Sequence, residues 1–182
     1  HLIARAFDGL LVMTSGNVHD DPIVIEEHEA FEQLAGIADA FLVNNRAIIE
    51  RFDDSVVRVL EPAGVDPVVQ VIRRARGLAP APVKLPAQVH ELGEESPELL
   101  AVGSELKNTF TIEEAFVSQH LGDMEHVASF DNWLETKDLY EKLFHLQPTK
   151  LACDLHPEYV LSKWARTQAS ERDLPLTEVQ HH

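Results

Sequence analysis

Cysteine is almost missing from this chain: Cys153 is the only one in 182 residues. No internal disulfide can form, and a reducing, cytoplasmic setting is the default expectation. Basic residues are scarce as well. Fifteen Lys and Arg stand against 31 Asp and Glu, for a formal charge of -16. Acidic residues outnumber basic ones in both halves, so the chain offers no broad basic face of the kind that holds nucleic acid through its phosphates. The same charge repels an anionic membrane surface. Long apolar runs are lacking too, and none approaches the roughly 18 residues that a membrane-crossing helix needs. The opening, HLIARAFDGLLVMTSGN, has no basic-then-apolar-then-small layout of a signal peptide. It begins without Met in a helix-like segment, which suggests a piece of a longer protein.

What is present suits a folded chain. The hydrophobic share of 45% and the charged share of 25% are those of ordinary globular domains. A length of 182 residues fits one large domain or two small ones, at about 100–200 residues per domain. Apolar runs at 10–13, 40–43, 55–59 and 68–72 predict strands, each bounded by turn or charged residues. Between the first two, residues 26–34 predict a helix with an acidic first turn, closed by Gly36 in a left-handed conformation. This half is mixed α/β. Residues 77–97 gather prolines and then acids without a period, as a linker does, and the boundary is placed near residue 90. The second half predicts a strand at 100–102, a turn at 103–107, and strands at 108–112 and 115–118. Apolar positions from Phe130 to Phe144 spaced by three and four predict a helix. A strand at 150–153, a helix opened by Pro157 and running to about Ala169, and a strand at 176–180 follow.

Several short segments carry groups suited to anions. Ser15, Gly16 and Asn17 follow a predicted strand, where hydroxyl, amide and backbone N–H groups can meet a phosphate; an ordinary turn uses the same residues. Arg73, Arg74 and Arg76 before Gly77 offer guanidinium forks, or a solvated charge run. Asp53 and Asp54 are adjacent in an extended segment, so they point to opposite faces and suit a strand entry better than joint metal binding. The run LAVGSELKNTF, from Leu100 to Phe110, sets Gly103, Lys107, Asn108 and Thr109 between two predicted strands. It has the ingredients of a phosphate-holding hairpin but not the Walker spacing. His120 and Asp123 flank Gly122 in a turn. Asp154 and His156 join a strand to a helix, where a structural role is favoured over a metal. Cys153 reads as a small buried apolar residue. His181 and His182 suit the start of a metal site or the stub of a tag.

Taken in order, MTSGNVHDDPI, GIADAFLVNNRAI, RFDDSVVRV, IRRARGLAPAPV, LAVGSELKNTF, SQHLGDMEH, CDLHPEYV and VQHH resemble successive blocks of the HypF carbamoyltransferases of hydrogenase maturation. The resemblance covers nearly the whole chain. It implies that residues 1–90 are the C-terminal part of a YrdC-like twisted-sheet domain, which makes carbamoyl-adenylate from carbamoyl phosphate and ATP. Residues 91–182 are then the start of a TsaD-like domain on the actin/Hsp70-type nucleotide-binding fold. That domain passes the carbamoyl group to a C-terminal cysteine of the partner HypE, on the way to the cyanide ligands of [NiFe]-hydrogenase.

Residue by residue, the resemblance implies nucleotide contacts at Ser15, Asn17 and Arg76 in the first half. In the second half it implies them at Gly103, Lys107, Asn108 and Thr109. His181 matches the first ligand of a divalent metal in the second domain, and Mg would accompany ATP. The family's zinc-finger and acylphosphatase regions, and the Lys-x-Arg element of the YrdC-like ATP site, have no counterpart in this sequence. Asn44, Asn45, Ala47 and Phe52 depart from the usual family residues. Two rival readings are a tRNA threonylcarbamoyl-adenylate synthase and a non-catalytic nucleotide-binding or docking module. The first calls for a basic RNA-facing surface, which the charge opposes.

Overall fold

The computed structural model describes residues 2–19, 21–84, 98–112 and 116–180. In the second half, three short strands run antiparallel and two more add in parallel. They are β3 (Leu99–Ala101), β4 (Thr111–Ile112), β5 (Phe116–Val117), β6 (Lys150–Asp154) and β7 (Leu176–Val179). The five-stranded sheet has the order β5-β4-β3-β6-β7. The β3–β4 and β4–β5 pairs are antiparallel and joined by short connections, whereas β3–β6 and β6–β7 are parallel. A parallel neighbour requires a crossover, and two helices supply them: α3 (Val127–Phe144) before β6 and α4 (Val160–Arg172) before β7.

The packing explains why these sequences choose these elements. Leu100, paired with both Ile112 and Leu151, sits with them in one buried cluster. Trp133 and Tyr140, seven residues apart on one stripe of α3, cover that cluster. Phe110 meets both rings edge to face, at centroid distances of 5.7 and 5.1 Å, and Trp133 meets Trp164 of α4 at 4.9 Å. Such pairs contribute about 0.5–1.5 kcal/mol each beyond the area they bury. Both helices close on a left-handed residue, His145 and Asp173, whose N–H returns to Glu141 and Ala169 respectively.

The first half is built differently. Helix α1 (Leu2–Ala6), helix α2 (Glu27–Leu34) and one antiparallel pair, β1 (Val56–Leu60) with β2 (Val68–Arg73), are its regular elements among the described residues. Apart from the half-buried Arg73 at the end of β2, every residue of the pair is exposed. Among the described residues, only Ala75 and Ala79 of the buried apolar side chains come from this half.

Several expectations are corrected. Residues 10–13 and 40–43 are apolar but form no strand. A strand exists only through its partner's hydrogen bonds, and Leu10, Val12 and Leu42 stand almost fully exposed with none. Gly36 does not close α2 in a left-handed turn; the helix ends through Ala35 in an ordinary right-handed conformation. Pro157 lies before α4 rather than at its first position, since Tyr159 is the cap residue. Asn108 sits outside β4, forming an isolated bridge to Gly122. Of the linker expected at 77–97, residues 85–97 lie outside the described residues.

The hairpin between β3 and β4 is tight for a specific reason. Gly103 has φ of +77°, and a Cβ there would collide with the Thr109 carbonyl and stand 2.6 Å from Asn108 Nδ2. Asn108 is buried, and its amide donates to the carbonyls of Val102 (3.0 Å) and Ser104 (2.5 Å). Gly103→Ala should therefore lower unfolding stability by about 1–3 kcal/mol, the usual cost of a strained backbone position. A shift in the denaturant midpoint at constant slope would show it, and an unchanged midpoint would count against the collision.

Candidate functional site

The two halves meet through a buried polar junction. Glu50 and Arg51 end an exposed apolar stretch of the first half and turn into the second. The Glu50 Oε1 atom accepts from Gln119 Nε2 at 2.8 Å, Thr136 Oγ1 at 2.9 Å and the Arg51 N–H at 3.2 Å. Gln119 is fully buried. Its amide also donates to the Arg51 carbonyl (3.3 Å), and its Oε1 accepts from Tyr140 Oη (3.1 Å). The Arg51 guanidinium reaches α3 at Glu135 (2.9 Å) and Asn132 (3.3 Å), while its Nε holds the Ile23 carbonyl (2.9 Å). Backbone bonds extend the seam. His120 N–H donates to the Arg74 carbonyl (2.7 Å), and Arg74 Nε donates to the Val117 carbonyl (3.1 Å).

Burial pushes the Glu50 carboxyl above its usual range, against the opposing pull of the Thr136 and Arg51 hydrogen bonds and the Arg51 charge. Burial, with the Glu50 charge behind it, pushes Tyr140 up to about 12, so its phenol stays a donor.

Above this junction lies a cavity of about 460 Å³ whose walls come from both halves, within the size range of small-molecule sites. Ser15, Asn17, Asp53 and Arg73 line it from the first half. Lys107, His120, Gly122 and Asp123 line it from the second. A further cavity of about 730 Å³ shares Ser15, Arg51, Asp53 and Arg73 with it and adds Thr14 and Arg76.

Ser15 Oγ donates to Asn17 Oδ1 at 2.6 Å, and the Asn17 amide donates to the carbonyls of Val18 and Asp21 at 2.9 and 3.0 Å. Asn17 thus folds its own loop and holds the serine in place. Arg73 pairs with Asp53 at 3.1 Å, and Arg76 with Asp54 at 3.7 Å; the adjacent aspartates are anchors for arginines on the opposite segment. Burial lowers the His120 pKa, opposed by the charges of Asp53 and Asp123 and aided by those of Arg73 and Lys107, which favours the neutral imidazole.

The residues of the 103–109 hairpin do not act as one group. Gly103 and Ser104 line a separate cavity of about 260 Å³ with Cys153, Asp154 and Val179, at the carboxyl ends of β3, β6 and β7. Lys107 faces the cavity between the halves. Asn108 is spent on the hairpin backbone, and Thr109 is half-buried beside it. Cys153 is buried, its thiol pushed up by desolvation. Asp154 Oδ1 accepts the His156 N–H at 2.7 Å, which is the structural role expected of that pair. His181 lies outside the described residues. Among the described residues no group of three or more His, Cys, Asp or Glu could hold a metal. No described helix is long and apolar enough to cross a membrane.

A mixed sheet with one cleft at its carboxyl edge and another against a second α/β segment makes a two-part α/β architecture. Comparison with known proteins agrees. Residues 94–182 match the family model described as the HypF Kae1-like domain, and residues 1–75 match the Sua5/YciO/YrdC model, described as telomere recombination. Carbamoyltransferase HypF of Rhodobacter capsulatus is 39% identical over 185 residues, covering 100% of this chain and 24% of the relative. The Synechocystis protein of the same name is 39% identical, covering 100% of this chain and 22% of its own length. Among solved structures, full-length HypF in a phosphate- and nucleotide-bound form superposes with a TM-score of 0.79 at 42% identity, covering 93% of this chain and 25% of that one. HypF of T. kodakarensis gives 0.80 at 36%, covering 93% and 21%. The chain belongs to the HypF carbamoyltransferase family and spans about a quarter of the length of these relatives.

The bonds that join Glu50 and Arg51 to Gln119 and Thr136 span 68 to 86 residues of sequence; no local signal announces the pairing. Glu50→Gln keeps the acceptor oxygen and removes the buried charge, so at pH 7 it should be at least as stable as the parent. Glu50→Ala orphans two buried donors and should cost about 1–3 kcal/mol. Because the folded pKa is raised, the stability from protonating Glu50 is fully present below the unfolded value of about 4.3 and is lost as pH rises through the folded value. The gap between Glu50→Gln and the parent should accordingly narrow on acidification. Thermal melts from pH 4.5 to 7.5 read both effects, and a gap that widens toward acid would contradict them.

Proposed function

We propose that this chain supplies facing walls of an ATP-dependent carbamoyl-transfer machine. Residues 1–90 belong to a YrdC-like adenylate-forming domain, and residues 91–182 to a TsaD-like transfer domain. The observation that carries the reading is the convergence of Ser15, Asn17 and Lys107 on one cavity of about 460 Å³ between the halves.

The chemistry is demanding in charge rather than in bond-making groups. Carbamoyl phosphate yields its phosphate to water, leaving a carbamate oxygen. That oxygen attacks the α-phosphorus of Mg-ATP, the bond from Pα to the bridging oxygen breaks, and its electron pair leaves with pyrophosphate. Positioning and charge neutralisation do most of this work. Ser15, fixed by Asn17, offers a placed hydroxyl, while Arg76 and Arg73 stand on the adjoining wall. The carbamoyl-adenylate is hydrolysed by free water, so its retention between the two halves until transfer limits that loss.

Transfer then follows on the second half. The C-terminal cysteine thiolate of HypE attacks the carbamoyl carbon, and AMP departs. Gly103 and Ser104, with Asp154, form the cavity at the carboxyl ends of parallel strands, where α/β sheets bind nucleotides. His181 is the position at which this domain's divalent metal would be held. The reading places the work in the cytoplasm.

In the full-length transferase, Ser15→Ala with Asn17→Ala should reduce ATP affinity and carbamoyl transfer to HypE by at least tenfold while leaving the fold intact outside the loop that Asn17 holds. Isothermal titration and a single-turnover transfer assay measure these. Full transfer by the double variant would reduce this segment to a docking module.

A further inference from the structure

The hairpin lysine is not where its neighbours are. Gly103 and Ser104 line the cavity beside Asp154, and Lys107 lines the one that holds Ser15 and Asn17. The geometry points to Lys107 as a phosphate-binding residue of the adenylate-forming site in the first half, lent across the interface by the second half. This rests on the carbamoyl-adenylate reading above and adds to it a residue that crosses from one domain to the other's reaction.

Three features support the assignment. First, charge: the Ser15 and Asn17 side chains are neutral, and the two arginines among the described residues that line this cavity are each paired with a carboxylate. Arg73 holds Asp53 at 3.1 Å and Arg51 holds Glu135 at 2.9 Å. Among the described residues the Lys107 ammonium has no carboxylate within 4 Å, so its charge is available to a ligand.

Second, backbone: Lys107 is a non-glycine residue at φ of +50°. A lysine gains nothing locally from that conformation, and the fold must hold it there. Its N–H donates to Asp123 Oδ1 at 2.7 Å, and the next residue's N–H donates to the Gly122 carbonyl at 2.8 Å. The turn at 122–123 therefore clamps the hairpin tip in the orientation that faces the first half.

Third, place: His120, whose N–H is bound to the Arg74 carbonyl of the first half, leads into the same turn. Docking of the halves and placement of the lysine are thus one event. In the reaction, the negative charge that pyrophosphate gains when its bond to the α-phosphorus breaks is what the ammonium meets. No bond to lysine forms, and no proton need leave it.

The test separates the two half-reactions in the full-length transferase. Carbamoyl-phosphate-dependent incorporation of labelled pyrophosphate into ATP reports the first site alone, without HypE. Lys107→Asn removes the charge while accepting the left-handed backbone, and Lys107→Arg keeps the charge. The expected result is exchange at least tenfold slower in Lys107→Asn with an unchanged melting temperature, and recovery to within about threefold in Lys107→Arg.

Exchange at the parental rate in Lys107→Asn, with only transfer to HypE impaired, would overturn the proposal and return Lys107 to the second domain's nucleotide. Equal loss in both variants would overturn it by making the effect one of backbone rather than charge. A parent without any carbamoyl-phosphate-dependent exchange would instead sink the adenylate-forming reading, and this proposal with it.

Discussion

One carboxylate oxygen, on the half-buried Glu50, organises the contact between the halves. Glu50 Oε1 takes hydrogen bonds from Gln119, Thr136 and the Arg51 backbone. Through them the exposed first half is seated on the packed second half. A half-satisfied network of this kind is worse than an apolar contact, and a satisfied one fixes a unique arrangement. Arg51 and Gln119 complete the satisfaction, with Tyr140 fixing the amide from the core side. Among the described residues of the first half only Ala75 and Ala79 are buried apolar side chains, so within this chain the contact between the halves is mainly polar. Directional bonds, not area, set where Ser15 and Arg73 lie relative to Lys107.

That dependence links structure to chemistry. A cavity lined from both sides is only as well formed as the junction beneath it. Donors that meet developing charge stabilise a reaction most when their position is fixed beforehand. Asn17 holds the serine, Asp53 holds Arg73, and Asp123 holds the lysine backbone. Each of these cavity-lining groups thus has a neighbour that restricts it. The neutral His120 in the same wall adds a polar surface without adding to the cavity's charge.

The second half was largely legible in the sequence. Trp133 and Tyr140 on one stripe, and the alternation around Leu100, Ile112 and Leu151, record burial directly, so α3, α4 and the sheet strands fall close to their expected places. The strand expected at 108–112 shortened because Asn108 spends its amide on the hairpin instead of the ladder. The first half was legible by resemblance more than by pattern. Leu10–Met13 and Ala40–Val43 look like strands, but apolar character marks a demand for cover, and pairing is what makes a strand. The candidate site divided in the same way. Ser15 and Asn17 announced themselves as a loop, whereas Glu50 with Gln119, and the outward turn of Lys107 away from Gly103, depend on contacts between distant segments. Spacing along the chain carries no trace of these.

The central claim is that residues of both halves close on one ligand. Hydrogen exchange of the full-length transferase, with and without a non-hydrolysable carbamoyl-adenylate analogue, tests it most directly. The account predicts that amides at 15–18 and at 107–108 and 120–123 slow together, with the same ligand dependence. Protection confined to one of these segments, or confined to 103–104 and 153–154, would contradict it.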